Sequence, residues 1–190
     1  MIESESVHTR ESVTEMQMDV VAQRAVDTIP GLLQLLENTN ENNLDAEISI
    51  LKNWDGRMST DSIGASLFEV FFTNWTKEVA SARFPANLVP LMAGAASGLS
   101  TQLLTEDIHN WFSPGERAKA VHRAMEKTID DISKDAGQDK SKWHWGAIHK
   151  VHLHHPLSEL GQIFNRLSRG GQGVGGSGIT VSNTGFDPNY

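Results

Sequence analysis

Four imidazoles fall within seven residues in His149-x-x-His152-x-His154-His155, the densest group of potential metal ligands in the chain. A metal centre needs three or four converging ligands, usually with a carboxylate or thiolate among them. Read as a strand, the run divides: His149, Val151, Leu153 and His155 share one face, and Lys150, His152 and His154 share the other. The imidazoles then point apart, so the run reads as structural and supplies no metal ligand. Gly171-Gln172-Gly173-Val174-Gly175-Gly176 satisfies the spacing of a dinucleotide fingerprint. That fingerprint needs a helix after it, whose N-terminus meets the pyrophosphate, and here the β-branched run Ile179-Thr180-Val181 follows instead. No cofactor-binding residue is assigned. Asp55 and Gly56, behind Trp54, make a tight turn, with the indole anchoring the preceding helix on the core. No Gly-x-Ser-x-Gly elbow occurs, and Ser66, after Gly64-Ala65, falls inside a predicted helix.

The elements that must carry these residues are mostly helical. Ser12-Val13-Thr14-Glu15 has capping-box spacing, and Val13, Met16 and Val20 follow at helical intervals, giving a helix that ends near Ile29 because Pro30 follows. A short apolar helix is expected over Leu32–Leu36, a loop over Asn38–Asn43 and a helical turn or two over Asp45–Lys52. Ile63, Leu67, Val70, Phe71 and Trp75 form the strongest amphipathic stripe, capped by Ser59 or Thr60 and braced by Asp61-Ser62. Leu99–Trp111 reads as a weaker helix. Ser113-Pro114-Gly115-Glu116 opens another that runs through Val121, Met125, Ile129 and Ile132 to Gly137. After Lys142 the pattern changes: Trp143–Leu153 reads as extended, Arg169–Gly178 as a Gly-rich loop and Ile179–Ser182 as the start of a strand. Residues 1–11 form a polar lead-in.

Composition narrows the function further. At 190 residues and 38% apolar content the chain can build a core. A net charge of −8 argues against nucleic acid, which requires a basic footprint. Without cysteine there is neither a disulfide framework nor a thiolate zinc site. The longest apolar stretch, Leu88–Ala96, is half the length of a membrane span. The first residues lack the pattern of a signal peptide, and localisation is not readable.

Two motif groups lie about ninety residues apart. The first is Trp54-Asp55-Gly56-Arg57-Met58-Ser59-Thr60-Asp61-Ser62-Ile63-Gly64-Ala65-Ser66. The second is Trp145-Gly146-Ala147-Ile148-His149, then His155-Pro156-Leu157, then Gly175-Gly176-Ser177-Gly178 with Thr180-Val181. In this order, and with Gln17-Met18-Asp19, Ala25 and Pro30 before them, they resemble the β subunit of penicillin acylase (penicillin amidase) enzymes, members of the N-terminal-nucleophile hydrolases. The resemblance runs from Gln17 to Asn183. It implies a parent α+β fold of four αββα layers, with residues 1–190 an internal β-subunit segment. Within it, 12–137 is a helical region and 138–190 an extended, Gly-rich return into the sheet.

The resemblance also implies hydrolysis of an acyl amide, such as a β-lactam side chain or an acyl-homoserine lactone, to a carboxylic acid and an amine. The family's nucleophile is the first residue of a self-cleaved subunit, usually Ser, activated by its own α-amine, whose pKa near ~8 suits the task. An Asn and a backbone N–H serve the oxyanion. Neither nucleophile nor Asn maps onto this chain, and both are expected upstream of Met1. Gly176-Ser177 has the dipeptide of a processing site, yet cutting there would leave only fourteen residues, too few for the sheet. No catalytic residue is therefore assigned within 1–190, the chain alone is expected to be inactive, and its expected partner is the remainder of the acylase. The family's structural calcium is expected to bind outside this segment. Two readings from other classes stand beside this one: a non-catalytic helical interaction module derived from the scaffold, and a metal-binding protein built on the His run.

Overall fold

The 19 residues Ile63–Ser81 form a helix with apolar or small residues on nearly every side, and 13 of them are buried. A helix apolar all round must be surrounded, and the other elements supply that surround. The computed structural model describes residues 7–37, 43–157 and 167–185. In chain order they form α1 (Arg10–Gln17), α2 (Gln23–Glu37), α3 (Asp45–Lys52), α4 (Ile63–Ser81), α5 (Val89–Ala95), α6 (Ser97–Thr105), α7 (Glu116–Ala136), α8 (Trp145–Ile148), β1 (Lys150–Leu153) and β2 (Arg169–Gly173). The piece is mainly helical, with a short antiparallel hairpin near its C-terminal end.

Helix α4 packs most extensively on α7 and also touches α3, α5, α6 and α8, while α2 packs on α3, α6 and α7. The apolar stripe of α7 (Ala120, Val121, Ala124, Met125, Ile132) faces inward, and Thr128 within it bonds back to Ala124 O. Aromatic rings run through the core: Trp54 on Phe68, Phe68 on Phe72, Phe71 on Trp75 and Trp75 on Phe112. Each of the five tryptophans donates its indole N–H to a backbone carbonyl: Trp54 to Arg57, Trp75 to Ser100, Trp111 to Val79, Trp143 to Gly137 and Trp145 to Gly176. A buried indole needs such an acceptor, and here the acceptors lie in loops and helix ends as well as helices.

Several elements differ from the sequence expectation. The first helix is two. Thr9 caps α1 in a reciprocal capping box with Ser12, and the chain then extends through residues 19–22 before α2. The extension exists because Val20 and Ala22 exchange main-chain hydrogen bonds with Met58 and Gly56. Pro30 lies inside α2 and does not end it. An interior proline costs about 3 kcal/mol, and burial of Leu32, Leu35 and Leu36 beyond it offsets that cost. The expected short helix at Leu32–Leu36 is the second half of α2. The N-cap of α4 is Ser62, whose Oγ accepts from Ala65 N, rather than Ser59 or Thr60.

The weaker helix ends at Thr105, not Trp111, because the Asp107 carboxylate takes the N–H groups of Trp111 and Phe112. Helix α5, which the periodicity did not resolve, precedes α6. Ser113 is not the N-cap of α7: Gly115, at φ 80°, is, and Gly137 closes that helix at φ 83°. Trp143–Leu153 is not uniformly extended, since α8 interrupts it. The Gly-rich Arg169–Gly173 is the strand β2, and Ile179–Ser182 is turn and bend in place of the expected strand. Residues 1–6 of the expected lead-in and 38–42 of the expected loop lie outside the described residues, while α1 begins within the lead-in, at Arg10.

Candidate functional site

The two motif groups meet in space, and backbone groups join them. Gly146 N donates to Thr60 O at 2.7 Å, Trp145 N to Ser62 O at 2.9 Å and Gly176 N to Met58 O at 2.7 Å. On the other side, Ala22 N reaches Gly56 O at 2.9 Å, Met58 N reaches Val20 O at 2.9 Å, and Ser182 N reaches Asp19 O at 2.8 Å. Residues 19–22, 56–62, 145–149 and 174–184 thus form one main-chain junction. The approach is close enough to require glycine: a Cβ on Gly173 would stand 2.7 Å from Gly146 Cα.

Side chains complete the junction. Asp55 Oδ1 accepts from Arg57 N at 3.0 Å, and Gly56 has φ 75°, the Asx turn that the Trp-Asp-Gly segment predicts. Trp54 is half-buried against the core and stands over Gly64, where a Cβ would lie 2.7 Å from its own Cβ. Ser177 is fully buried as a turn residue: its Oγ accepts from Ile179 N, and its N–H donates to Thr180 Oγ1. Thr180 Oγ1 also donates to Ser182 O at 2.7 Å, and Thr184 Oγ1 to Gly175 O at 2.6 Å.

His149 is buried at the centre. Its Nδ1 lies 3.0 Å from Val174 O and its Nε2 3.1 Å from Gly185 O, with the ring 4.6 Å from that of Trp145. The ring thus lies between the carbonyls of two loop segments. The strand begins only at Lys150, so His149 stands before it. His152 and His154 are exposed, and Leu153 on the face expected to be apolar is 62% exposed. The Gly-rich run pairs antiparallel with β1 through a register shift between Val151 and His152, and a turn follows it. It makes no phosphate-binding turn into a helix. Among the described residues no three His, Asp or Glu side chains converge on a metal position.

Electrostatics identify two carboxylates that the sequence pattern did not. Glu69 lies on α4 between the buried Phe68 and Val70; burial pushes its carboxyl up to about 7, against the pull of Arg24. Arg24 is itself partly desolvated, which lowers its pKa, and it lies 4.4 Å over the Phe72 ring. Glu47 is fully buried, with one oxygen on Lys140 Nζ and the other unpartnered. Charges inside apolar stripes carry no periodicity signal, so only packing reveals them. Nearer the surface, partial burial of Asp131 is outweighed by hydrogen bonds from Lys127 and Asn74, and its pKa falls. Chemically, the junction can hold loops in register. The hydroxyls of Ser66 and Ser100 are buried with no hydrogen-bond partner among the described residues.

The comparison with protein families decides the affiliation. The penicillin amidase family model matches residues 1–190. The chain belongs to the penicillin amidase family. No curated protein matches it. Family membership gives the junction its context: much of the two motif groups that carry the resemblance is what the backbone brings together. No helix among the described residues is long and apolar enough to cross a membrane.

Proposed function

We propose that this chain is a scaffold segment of a penicillin amidase-type enzyme that hydrolyses an acyl amide to a carboxylic acid and an amine. The N-terminal nucleophile and the oxyanion Asn belong to polypeptide outside residues 1–190. The match of the family model to the full 190 residues carries this reading. In the parent enzyme, a four-layer αββα fold, residues 12–137 form helical additions and 138–190 return the chain to the sheet. Exposed apolar side chains at Met18 (65%), Leu153 (62%) and Val181 (62%) support a partner polypeptide around the junction and hairpin. A two-stranded sheet is marginal by itself, which supports further strands from the same source. Structural calcium, where the enzyme holds it, is bound outside the described residues.

The test is reconstitution. The chain alone is expected to leave penicillin G and an acyl-homoserine lactone intact, and fusion to the upstream acylase polypeptide to restore hydrolysis. Replacing the processed Ser by Ala in that fusion should leave an uncleaved, inactive precursor. Turnover by the isolated chain above a boiled control would overturn the assignment of catalysis to other polypeptide. A stable, inactive monomer that no upstream acylase segment can activate would favour the interaction-module reading.

A further inference from the structure

The His149 ring presents both of its nitrogens to atoms that can only accept. Nδ1 lies 3.0 Å from Val174 O and Nε2 lies 3.1 Å from Gly185 O, and a carbonyl oxygen has no proton to give. A neutral imidazole carries one N–H and one lone pair, whereas in imidazolium both nitrogens are donors. Only the doubly protonated ring makes both contacts hydrogen bonds; a neutral ring turns a lone pair on one of the carbonyls. The ring also lies over that of Trp145, with centroids 4.6 Å apart, and an indole face attracts a cation. Burial opposes the charge. Among the described residues, the charged and titratable groups around the adjoining groove are Lys77 of α4, Lys127, Asp131, Lys134 and Asp135 of α7, and Lys150, His152 and His154 at β1. The four lysines are exposed, and Lys127 and Lys134 lie against Asp131, so water and that carboxylate screen them from the ring. On the other side, residues 174–185 hold no charged or titratable side chain.

We infer that His149 is a proton-dependent clasp: as imidazolium it holds the carbonyls of Val174 and Gly185 together, and on losing a proton it releases Gly185. The main chain decides which contact goes. Val174 N donates to His149 O at 3.1 Å, and His149 N donates to Trp145 O at 2.7 Å, so the residue is anchored on the Val174 side. The remaining proton stays on Nδ1, and Nε2 meets the Gly185 carbonyl as one acceptor facing another. The departing proton passes to water through the groove that His149 lines. Thr184 keeps its place, because its N–H and Oγ1 donate to Ser177 O and Gly175 O, so the release is confined to Gly185. The folded chain thus binds the second ring proton more tightly than the unfolded chain does. The clasp stabilises the junction in full while the ring is charged, and that stability is lost as pH rises and the proton leaves.

The test uses the full chain, isotopically labelled in its histidine rings and in its glycine and valine carbonyls, followed by nuclear magnetic resonance between about pH 5 and 9. At the acid end both ring nitrogens of His149 should carry protons. As pH rises, Nε2 should lose its proton, and the Gly185 carbonyl carbon should shift upfield over the same interval while that of Val174 stays in place. His152→Gln and His154→Gln should leave the Gly185 shift unchanged. His149→Gln, whose amide does not titrate in this range, should abolish it. The unaltered chain decides the matter by itself where His149→Gln fails to fold. A His149 ring with a single nitrogen proton throughout, a Gly185 carbonyl indifferent to the loss of the second, or a Val174 carbonyl that moves while Gly185 stays would each overturn the inference.

Discussion

Gly64→Ala is a sharp probe of the first motif, because a single methyl must enter the space that Trp54 occupies. The new Cβ would lie 2.7 Å from Trp54 Cβ and 2.8 Å from its Cδ2, whereas carbon atoms rest at about 3.5–4.0 Å. The indole must therefore move by roughly 1 Å. It is not free to do so: Nε1 donates to Arg57 O at 3.0 Å, and the ring packs 5.8 Å from that of Phe68. Overpacking costs about 1–3 kcal/mol and a strained hydrogen bond up to about 1 more, while alanine returns about 1 kcal/mol of helix propensity. The expected loss is up to about 3 kcal/mol in urea denaturation followed by far-UV circular dichroism. Trp54→Ala, at a half-buried ring, should cost about 2–4 kcal/mol, near the lower end of large-to-small core changes. The two changes should not add. With the indole gone, the methyl introduced by Gly64→Ala has room, and the double variant should be no less stable than Trp54→Ala alone. A stabilised Gly64→Ala variant, or simple additivity of the pair, would refute the packing argument.

Glu69→Gln should flatten the dependence of stability on pH. The folded-state pKa is raised to about 7, so between the ordinary carboxylate range and pH 7 the folded chain holds a proton that the unfolded chain has lost. Stability from this group is therefore lost as pH rises through that window, and at pH 8 the Gln variant should be more stable by up to about 3 kcal/mol, with little difference at pH 4. Parallel pH profiles for the two proteins would count against it. Lys140→Met should cost about 2–4 kcal/mol by stranding the fully buried Glu47, and adding Glu47→Leu should recover most of that; a double variant as unstable as the single would contradict this. Among the histidines, His149→Ala should lower the melting temperature clearly, while His152→Ala and His154→Ala should each stay within about 0.5 kcal/mol of the parent. Equal effects at all three positions would undo the distinction drawn between the buried ring and the exposed pair.

The helices were legible where an apolar stripe met a strong end signal. Asp45–Lys52 has the predicted span, the stripe from Ile63 to Trp75 lies within the longer α4, and Gly137 ends α7 as its position implied. Pro30 misled because local backbone preference was weighed without the leucines whose burial outweighs it. The Gly-rich β2 misled for the opposite reason: composition argued for a loop, while pairing with β1 across the missing side chains made a strand. The meeting of the two motif groups was legible only as a shared resemblance, since main-chain hydrogen bonds have no residue type and leave no periodicity. Glu69 and Glu47 were silent for a similar reason: a charge within an apolar stripe looks like solvent exposure until the neighbouring helix is in place.

The junction has a consequence for how this scaffold can change. Its cross-links run between amides and carbonyls, and no ordinary side-chain replacement deletes an amide. Alanine scanning across residues 56–62 or 174–184 would therefore leave most of the hydrogen bonds between these segments standing. Two kinds of change reach it: proline, which removes a donor such as Gly146 N or Gly176 N, and any added Cβ where two backbones touch, as at Gly173 against Gly146. Sequence drift is thus tolerated where a side chain makes no hydrogen bond in the junction, and barred at a few small residues. Two descendants of the same scaffold can differ over most of these loops and still keep them in the same register.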